Sequence, residues 1–349
     1  MTIGSGRAGT LRAAKRRRRR RRASLAPCIG LLALAACGGS PEGDPVRFTV
    51  PEGSGFGAVT DTLSSHDIIE WPTVFRLYGR FRGAARAVKP GVYEVQRGIA
   101  WDDLLDKLVS GDVVRMRVAV PEGWTLDQIA SIIARETGEP ADSILGELLS
   151  EAAVERYDVP GPTLEGYLYP ATYVLPAGAS AERLVRLMVG RYKQSWTAAR
   201  QARTDSIGMS EREVITLASI VEKEARHWGE RDTIAAVFRN RLRIGMPLQA
   251  DPTVQYALGA HQSRLLYAHI DSVADHPYNT YRRRGLPPGP IASPSEGAID
   301  ASLNPADVDV LYFVARPDGR HIFTRSLVEH NAARREVSRM RAEQERGSG

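Results

Sequence analysis

The chain has 349 residues, which suggests about two domains, and 43% of them are hydrophobic, which is enough for a sizeable core. Its formal net charge of +6 arises in the first 37 residues, which contain ten Lys and Arg residues and no acidic residue. The rest of the chain carries 37 basic and 41 acidic residues. This body is slightly acidic, so its composition argues against a nucleic-acid-binding protein.

The N-terminal segment has the composition of an export signal. Basic residues 15–22 precede an apolar segment, residues 23–36, which is too short to span a membrane comfortably as a helix but suits the core of a signal peptide. The segment ends in Leu34-Ala35-Ala36-Cys37. This ending resembles a bacterial lipobox, in which the cysteine is lipidated after cleavage and becomes the first residue. An uncleaved signal anchor is the alternative.

Residues 1–37 are therefore interpreted as a signal, lipobox or membrane anchor, and residues 38–44 as a short polar tether. Cys28 and Cys37 are the two cysteines of the sequence, and both lie in this N-terminal part. The body after them contains no cysteine, so it is expected to fold without disulfides.

Residues 45–156 contain a weak internal repeat. Val46–Gly53 returns as Val118–Gly123, with the two Val-Pro-Glu-Gly endings 70 residues apart. Each copy predicts a short strand, a tight turn and a helix, and Gly91–Val95 begins a third such unit between them. Small β/α units of this kind resemble LysM modules, which bind glycans containing N-acetylglucosamine. A generic α+β packing domain without a ligand is the alternative.

Pro160-Gly161-Pro162 predicts a domain boundary nearby, and residues 157–345 are expected to form a second domain. The next loop, Thr163–Tyr173, holds three tyrosines and Glu165 between Gly and Pro residues. This composition suits a polar groove lined by aromatic rings, although tyrosines also anchor loops to cores. Glu165 is therefore a candidate substrate-binding residue.

The stretch Ser210–Ala225 predicts a helix that carries chemistry. Ser210 followed by Glu213 is a capping-box pattern. Glu222 and Glu224 fall on opposite edges of the apolar face, at about 100° per residue. A carboxylate at such an edge is partly desolvated, so its pKa should rise and it could hold a proton near neutral pH. The apolar face has the spacing of a single buried stripe and consists of Val214, Leu217, Ala218 and Val221.

The two edges of this face differ in the room that they leave. Glu222 follows Ala218 and Ser219, which are small and leave space for a ligand. Glu224 follows Ile220 and Val221, which fill space, so Glu222 is the better candidate acid. The alternative is that both carboxylates are solvated and pair with Lys and Arg, since charged side chains are rarely fully buried.

A dense block of turn and polar residues follows. Asp251 before Pro252 predicts a helix N-cap with proline at the first helical position, and Gln249 just before it is free to face a ligand. The Gly- and Pro-rich stretch 285–294 is rigid, which suits a cleft wall. We find no metal-ligand spacing, no phosphate-binding glycine loop and no nucleophile elbow, and therefore predict neither a metal nor a cofactor.

Several stretches together closely resemble the endolytic murein transglycosylases, the YceG-like family. The resemblance begins near residue 45 and follows the same order to the C-terminus. It departs from the family at the N-terminus, because many members look like single-pass inner-membrane proteins, so the type of anchor stays open. The stretches that carry the resemblance are Leu164–Tyr173, Leu217–Glu224, Val237–Leu242, Gly245–Val254, Tyr278–Tyr281, Gly285–Ile291 and Leu311–Ala315.

The resemblance implies cleavage of the β-1,4 bond between N-acetylmuramic acid and N-acetylglucosamine within glycan strands, with a 1,6-anhydromuramoyl end as product. The catalytic glutamate of the family, carried over, falls on Glu222. One carboxylate suffices, because the nucleophile is the 6-hydroxyl of the sugar itself, and the glutamate acts first as acid and then as base. The residues expected to position the sugars are Asn240, Gln249, Asp251, Asn279, Tyr281 and Glu165.

The expected fold is α+β, with an N-terminal LysM-like β/α module followed by a mostly helical, lysozyme-like catalytic domain with small strand elements. The resemblance further implies peptidoglycan strands as substrate and peptidoglycan synthases as partners. It also implies a body on the periplasmic side of the cell membrane, anchored at its N-terminus.

Two other functions stay open at this point. A hydrolytic muramidase needs a second carboxylate facing Glu222, for which Asp251 and Glu165 are the attractive candidates. A non-catalytic, membrane-anchored scaffold that binds peptidoglycan would instead have Glu222 buried in a salt bridge, away from any cleft.

Overall fold

A computed structural model describes residues 44–260 and 262–347 of the chain. Cys37, the predicted signal or anchor, and the tether before Asp44 lie outside the described residues. Within them the α+β prediction is confirmed, since the chain is mostly helical and carries three two-stranded antiparallel sheets. No helix in this part of the chain combines the length and the apolar composition needed to cross a membrane.

The elements are numbered in chain order. The strands are β1 (Val46–Val50), β2 (Gly91–Val95), β3 (Arg115–Ala119), β4 (Thr172–Pro176), β5 (Tyr312–Ala315) and β6 (His321–Thr324). The helices are α1 (Phe56–Ser65), α2 (Pro72–Phe81), α3 (Trp101–Ser110), α4 (Leu126–Thr137), α5 (Ala141–Leu148), α6 (Glu151–Tyr157), α7 (Ala181–Ser195), α8 (Ala198–Ser206), α9 (Glu211–Glu224), α10 (Arg231–Arg243), α11 (Asp251–Leu258), α12 (Tyr267–Ser272), α13 (Glu296–Leu303) and α14 (Leu327–Gly347). Ala84–Arg86 and Trp228–Glu230 form short 3-10 helices.

The first hydrophobic cluster is built from β1, β2 and helices α1 to α3. The two strands pair with Phe48 opposite Tyr93, and the two rings stack with their centroids 5.6 Å apart. Phe75 of α2 and Leu104 of α3 are fully buried in the same cluster. The three predicted strand–turn–helix units are confirmed as β1–α1, β2–α3 and β3–α4. A LysM-like arrangement of these units stays a prediction.

The second hydrophobic cluster begins with β3 and contains most of the remaining core. β3 pairs with β4, with Val118 opposite Tyr173, because a strand must find a partner for its backbone N–H and C=O groups. This pairing and the shared core cross the predicted boundary between residues 156 and 157. The change from one hydrophobic cluster to the other lies between Val113 and Met116.

Helix α9 lies in the second cluster, with α8, α10, α11 and α13 packed around it. Its predicted capping box is confirmed: the Ser210 hydroxyl accepts the Glu213 N–H at 3.3 Å, and the Glu213 carboxylate accepts the Ser210 N–H at 2.7 Å. Every residue from Val214 to Val221 is buried. The prediction of a single buried face was therefore wrong, because neighbouring helices cover α9 on all sides.

We expect Gly166→Ala to destabilise the fold more than Gly138→Ala. Both glycines have a left-handed backbone, with φ of +85° and +79°, which costs other residues about 1–2 kcal/mol. Only at Gly166 would a Cβ meet a rigid neighbour, since it would lie 2.5 Å from Cβ of Pro290, whereas nothing lies within 4 Å at Gly138. Overpacking should add about 1–3 kcal/mol to the loss in free energy of unfolding, measured by urea denaturation. Equal losses in the two variants would contradict this packing.

Candidate active site

Glu222 lies in the last turn of α9, and its carboxylate is bound from two neighbouring helices. Arg231, at the start of α10, donates from Nη2 to both carboxylate oxygens, at 3.0 and 3.2 Å. Both side chains are only 9% exposed. Ser295, the N-cap of α13, donates its backbone N–H at 3.2 Å and its hydroxyl to Oε2 of Glu222. The Glu222 carboxylate therefore joins α9, α10 and α13.

The space beside Glu222 is filled by protein. Ala218 and Ser219, which predicted an open edge, are fully buried. The Ser219 hydroxyl accepts the Ile291 N–H at 3.0 Å and donates to the Thr216 carbonyl at 2.7 Å. The loop that leads to α13 thus packs against this edge of the helix. The prediction of ligand space on the Glu222 side was wrong.

Glu224 ends α9 and has a different environment from Glu222. It is partly buried, and no described residue forms a hydrogen bond or an ion pair with its carboxyl group. Burial, reinforced by the nearby negative charge of Asp251, raises the pKa of Glu224 to about 8, although Arg241 opposes this shift. At neutral pH Glu224 is therefore mostly protonated, which is the state that a general acid needs.

Asp251 and Tyr281 lie near Glu224, and Gln249 lies two residues before Asp251, outside α11. Asp251 is the first residue of α11, and Ala250 occupies the N-cap, so the predicted cap is displaced by one residue. The Tyr281 hydroxyl donates to the Asp251 carboxylate. Gln249 has an exposed side chain and a φ of +48°, a left-handed conformation that is uncommon outside glycine. Asp251 and Tyr281 are thus the polar side chains beside Glu224, while Gln249 is exposed just before α11.

Two other predicted substrate-binding residues hold backbone segments instead. Asn240 donates from Nδ2 to the carbonyls of Val308 and Val310, at 2.8 and 3.0 Å. Asn279 is fully buried, donates to two carbonyls around the end of α12, at 2.9 and 3.0 Å, and accepts the Tyr281 N–H at 3.1 Å. The amide of Asn279 therefore fixes the position of Tyr281 from within the protein.

Glu165 lies in the loop before β4, and its side chain is buried against the start of α4, with 2% of the residue exposed. Its Oε2 accepts the Leu126 N–H at 3.1 Å, and its Oε1 has no hydrogen-bond partner in the described part of the chain. Burial raises the pKa of Glu165 to about 8, so that its carboxyl group is mostly protonated at neutral pH. Such a group does not supply the ionised second carboxylate that a hydrolase requires.

The turn after β3 lies against the end of α9. Lys223 donates from Nζ to the Gly123 carbonyl at 3.1 Å. The Gly123 N–H donates to the Ser293 carbonyl at 2.7 Å, and the Ser293 N–H donates to the Trp124 carbonyl at 2.8 Å. The predicted cleft wall, residues 285–294, therefore meets the turn of the repeat unit beside the two glutamates.

Sequence reasoning missed Arg231 and Ser295 as partners of Glu222. The helix start at Ser295 was visible in the sequence, but its contact with a residue 73 positions earlier was not. Arg231 follows Glu222 by nine residues, across the turn that joins two antiparallel helices. A helical hairpin brings such positions together, and this geometry is the only signal that would have indicated the pair.

A cavity of about 870 Å³ lies around the N-terminal half of α9. Its walls include Glu213, Thr216, Arg239 and Asn240, but neither of the two glutamates at the C-terminal end of the helix. This cavity is therefore separate from the C-terminal end of α9, where the two glutamates lie. Within residues 44–260 and 262–347, no group of three or more His, Cys, Asp or Glu residues is arranged to hold a metal ion.

Comparison with known proteins gives consistent matches. The sequence model of the YceG-like family matches residues 48–336. A protein of Bacillus subtilis (strain 168) named endolytic murein transglycosylase is 35% identical over 305 residues, which are 83% of this chain and 84% of that protein. A protein of the same name from Streptococcus pneumoniae (serotype 2, strain D39) is 31% identical over 316 residues, which are 82% of this chain and 57% of that protein.

A solved structure of a putative YceG-like protein from Listeria monocytogenes is 33% identical and superposes with a TM-score of 0.58. The superposition covers 84% of this chain and all of that one. The fold is therefore shared over most of both chains.

We expect Arg231→Met to destabilise the protein by about 3–5 kcal/mol, because it leaves the carboxylate of Glu222 buried without its cation. The matched control is Arg186→Met, which removes an exposed i,i+4 pair with Glu182 whose side chains are 69% and 55% exposed. That variant should lose less than about 1 kcal/mol. Urea denaturation of both variants measures the difference.

Adding Glu222→Gln to Arg231→Met should restore part of the lost stability, because the uncompensated charge is removed. Similar stabilities for Arg231→Met and Arg186→Met would contradict a structural role for the Glu222–Arg231 pair.

Proposed function

The chain belongs to the YceG-like family, and we propose on this premise that it is an endolytic transglycosylase of the bacterial cell wall. Its reaction cleaves the β-1,4 bond between N-acetylmuramic acid and N-acetylglucosamine inside a peptidoglycan strand and leaves a 1,6-anhydromuramoyl end. Support comes from the match to the family over most of the chain and from the relatives that bear this name.

We propose Glu224, rather than Glu222, as the acid and base. The observation that carries this assignment is the unpaired, partly buried carboxyl group of Glu224, whose pKa of about 8 keeps it protonated at neutral pH. Glu222 is instead occupied by Arg231 and Ser295. Its role is to hold the end of α9 in place, and Glu224 depends on that position.

The mechanism needs one carboxyl group and no water. Glu224 donates its proton to the glycosidic oxygen as the bond from that oxygen to C1 of N-acetylmuramic acid breaks. The 6-hydroxyl oxygen of the same sugar attacks C1, and its proton passes to the Glu224 carboxylate, which restores the acid. The nucleophile is tethered to the electrophile, so its effective concentration is high. A hydrolase, in contrast, needs a second carboxylate to activate water or attack C1.

We infer that Gln249, Asp251 and Tyr281 contact the glycan near Glu224. Asp251 also supports the protonated state of Glu224, since its negative charge disfavours a second one nearby. Asn240, Asn279 and Glu165 act through the backbone segments that they hold. In this proposal they position the cleft without touching the sugars.

The scaffold hypothesis predicted Glu222 in a buried salt bridge, and Arg231 forms such a bridge. This pair does not remove the acid from the site, because Glu224 lies two residues further along and its carboxyl group is not bound by any residue that the structure describes. The unpaired carboxyl group is what favours an enzyme over a binding protein.

We further propose that residues 1–37 direct the chain to the cell membrane, with Cys37 as the lipid acceptor, and that residues 45–156 include a LysM-like glycan-binding module. The enzyme then acts on nascent strands beside the synthases and sets their length. The basic run, the apolar segment and the lipobox-like ending support the anchor. Glycan strands with the same length distribution in cells with and without the protein would refute the role in strand length.

We expect Glu224→Gln to abolish measurable cleavage, with a loss of about 10²–10⁴-fold in kcat, because Gln cannot transfer the proton. The assay incubates the full chain in detergent with uncrosslinked glycan strands and identifies products by mass spectrometry. Wild-type products should be internal fragments that end in anhydromuramic acid.

The matched control is Glu222→Gln, which keeps the size of the side chain but breaks the ion pair with Arg231. It should lower the thermal unfolding midpoint and, below that temperature, reduce cleavage far less than Glu224→Gln does, whereas Glu224→Gln should not lower the midpoint. The assignment is wrong if Glu224→Gln still cleaves while folded Glu222→Gln does not. Products with reducing muramic ends would indicate a hydrolase instead.

The pH profile should fall at high pH, because kcat/KM requires Glu224 in its protonated form, whose pKa is about 8. Asp251→Asn removes a negative charge that raises this pKa, so the alkaline limb should move to lower pH. Tyr281→Phe removes the hydrogen bond to Asp251 but leaves its charge, so the limb should stay near its wild-type position. An alkaline limb that does not move in Asp251→Asn would argue against Glu224 as the titrating acid.

A further inference from the structure

Helix α2 exposes an apolar stripe on the surface of the first hydrophobic cluster. Trp71, Val74, Leu77 and Phe81 are 63%, 43%, 69% and 87% exposed. Their spacing places them along one side of the helix. We call these four residues the α2 stripe. Four large apolar side chains on three turns are more than the scattered exposed residues that most soluble surfaces carry.

The opposite side of α2 makes the buried contacts that hold the helix to the first hydrophobic cluster. Phe75 is fully buried there, and Gly79 packs so closely that a Cβ at this position would lie 2.3 Å from the Phe56 ring. The fully buried contacts of α2 are therefore made by Phe75 and Gly79 and not by the α2 stripe, which remains largely exposed. Its exposure calls for a partner outside the described residues.

The segment that carries the α2 stripe is rich in basic residues, and acidic side chains of neighbouring helices pair with two of them. Residues 71–90 contain five basic residues and no acidic residue, and Glu70 just before them hydrogen-bonds to the indole of Trp71. Arg76 and Arg82 pair with Asp61 and Asp102, whereas Arg80 has no carboxylate partner within the described chain. The five basic residues are Arg76, Arg80, Arg82, Arg86 and Lys89. A helix that combines Trp, Leu and Phe on one side with Arg beside them has the composition of helices that lie in a membrane interface.

The proposed N-terminal anchor would hold the first hydrophobic cluster close to a bilayer, because only a short segment separates the two. Residues 37–45 separate the apolar segment 23–36 from β1. Nine extended residues reach at most about 30 Å. A unit of about 70 residues has a radius of gyration near 11 Å, so every face of the first cluster can reach the membrane surface. Which face docks then depends on its side chains. The α2 stripe combines exposed apolar residues with neighbouring basic residues, which is the composition that binds lipid.

We propose that α2 docks on the anionic surface of the membrane that carries the N-terminal anchor. The α2 stripe inserts among the upper acyl chains, and the arginines beside it contact lipid phosphates. This inference rests on the membrane anchor of the proposed function, but not on the transglycosylase reaction. It gives the first cluster a fixed orientation on the bilayer from which the rest of the chain extends toward the cell wall.

The test reconstitutes the full chain into vesicles of phosphatidylglycerol and phosphatidylcholine, with and without lipids brominated on their acyl chains. Vesicles are isolated by flotation, and tryptophan fluorescence is measured. Brominated lipids should quench the wild-type protein, and Trp71→Phe should lose most of this quenching. The matched control is Trp228→Phe, which removes a tryptophan that is 75% exposed but lies in the second part of the chain. That variant should keep the quenching.

A second pair of variants tests the apolar contacts without removing a fluorophore. The double variant Leu77→Ser, Phe81→Ser should reduce the quenching by brominated lipids as strongly as Trp71→Phe does. Val328→Ser, at a position on α14 that is 79% exposed, should not reduce it. Vesicles of phosphatidylcholine alone should give weaker quenching of Trp71, because the arginines lose their anionic partners.

The possible failures are distinguishable. A protein that does not float with vesicles overturns both the anchor and this proposal. A protein that floats but shows the same quenching with and without Trp71 overturns the docking of α2 alone. A dimer in sedimentation experiments that Leu77→Ser dissociates, with no lipid quenching, would assign the α2 stripe to a second copy of the chain and refute membrane docking. Cleavage of glycan strands by the same preparations tests the proposed reaction separately.

Discussion

The buried pair of Glu222 and Arg231 is the interaction on which the site depends. A helix end normally leaves its last carbonyls without intrahelical partners and frays easily. Here the last turn of α9 is held by a charge-assisted hydrogen bond to α10 and by both donors of the α13 N-cap. Because the ion pair is only 9% exposed, it cannot be replaced by water at low cost. The position of Glu224, two residues further along, follows from this attachment.

Two glutamates two residues apart thus acquire opposite properties. Positions i and i+2 on a helix differ by about 200°, so they face different surroundings even though their backbones are adjacent. Glu222 faces a cation and a helix N-terminus, where negative charge is stabilised. Glu224 faces a partly buried region with Asp251 nearby, where a proton is retained. In the proposed mechanism Glu222 supplies stability and Glu224 supplies the acid, and the second role depends on the first.

The sequence predicted local structure well and tertiary partners poorly. The α9 capping box and the three strand–turn–helix units depend on residues close in sequence, and both predictions are confirmed. The choice between Glu222 and Glu224 depended on what packs beside each edge of α9. Small residues at Ala218 and Ser219 indicated space, but small residues equally allow a loop to approach closely, and residues 291–295 do so. Polar residues such as Asn279 were read as ligands because a sequence does not show which carbonyls a buried amide must satisfy.

The same limitation explains the boundary between the two parts of the chain. Pro160-Gly161-Pro162 marks a real interruption of secondary structure, but a strand that needs a partner can pair across it, as β3 does with β4. This pairing carries the Pro121–Trp124 turn to the end of α9, where Lys223 and Ser293 bind its backbone. The second copy of the internal repeat is therefore attached to the end of α9. Any glycan held by the repeat units near this turn would be connected to Glu224 through a few backbone hydrogen bonds, so binding and cleavage need not be separate functions of separate domains.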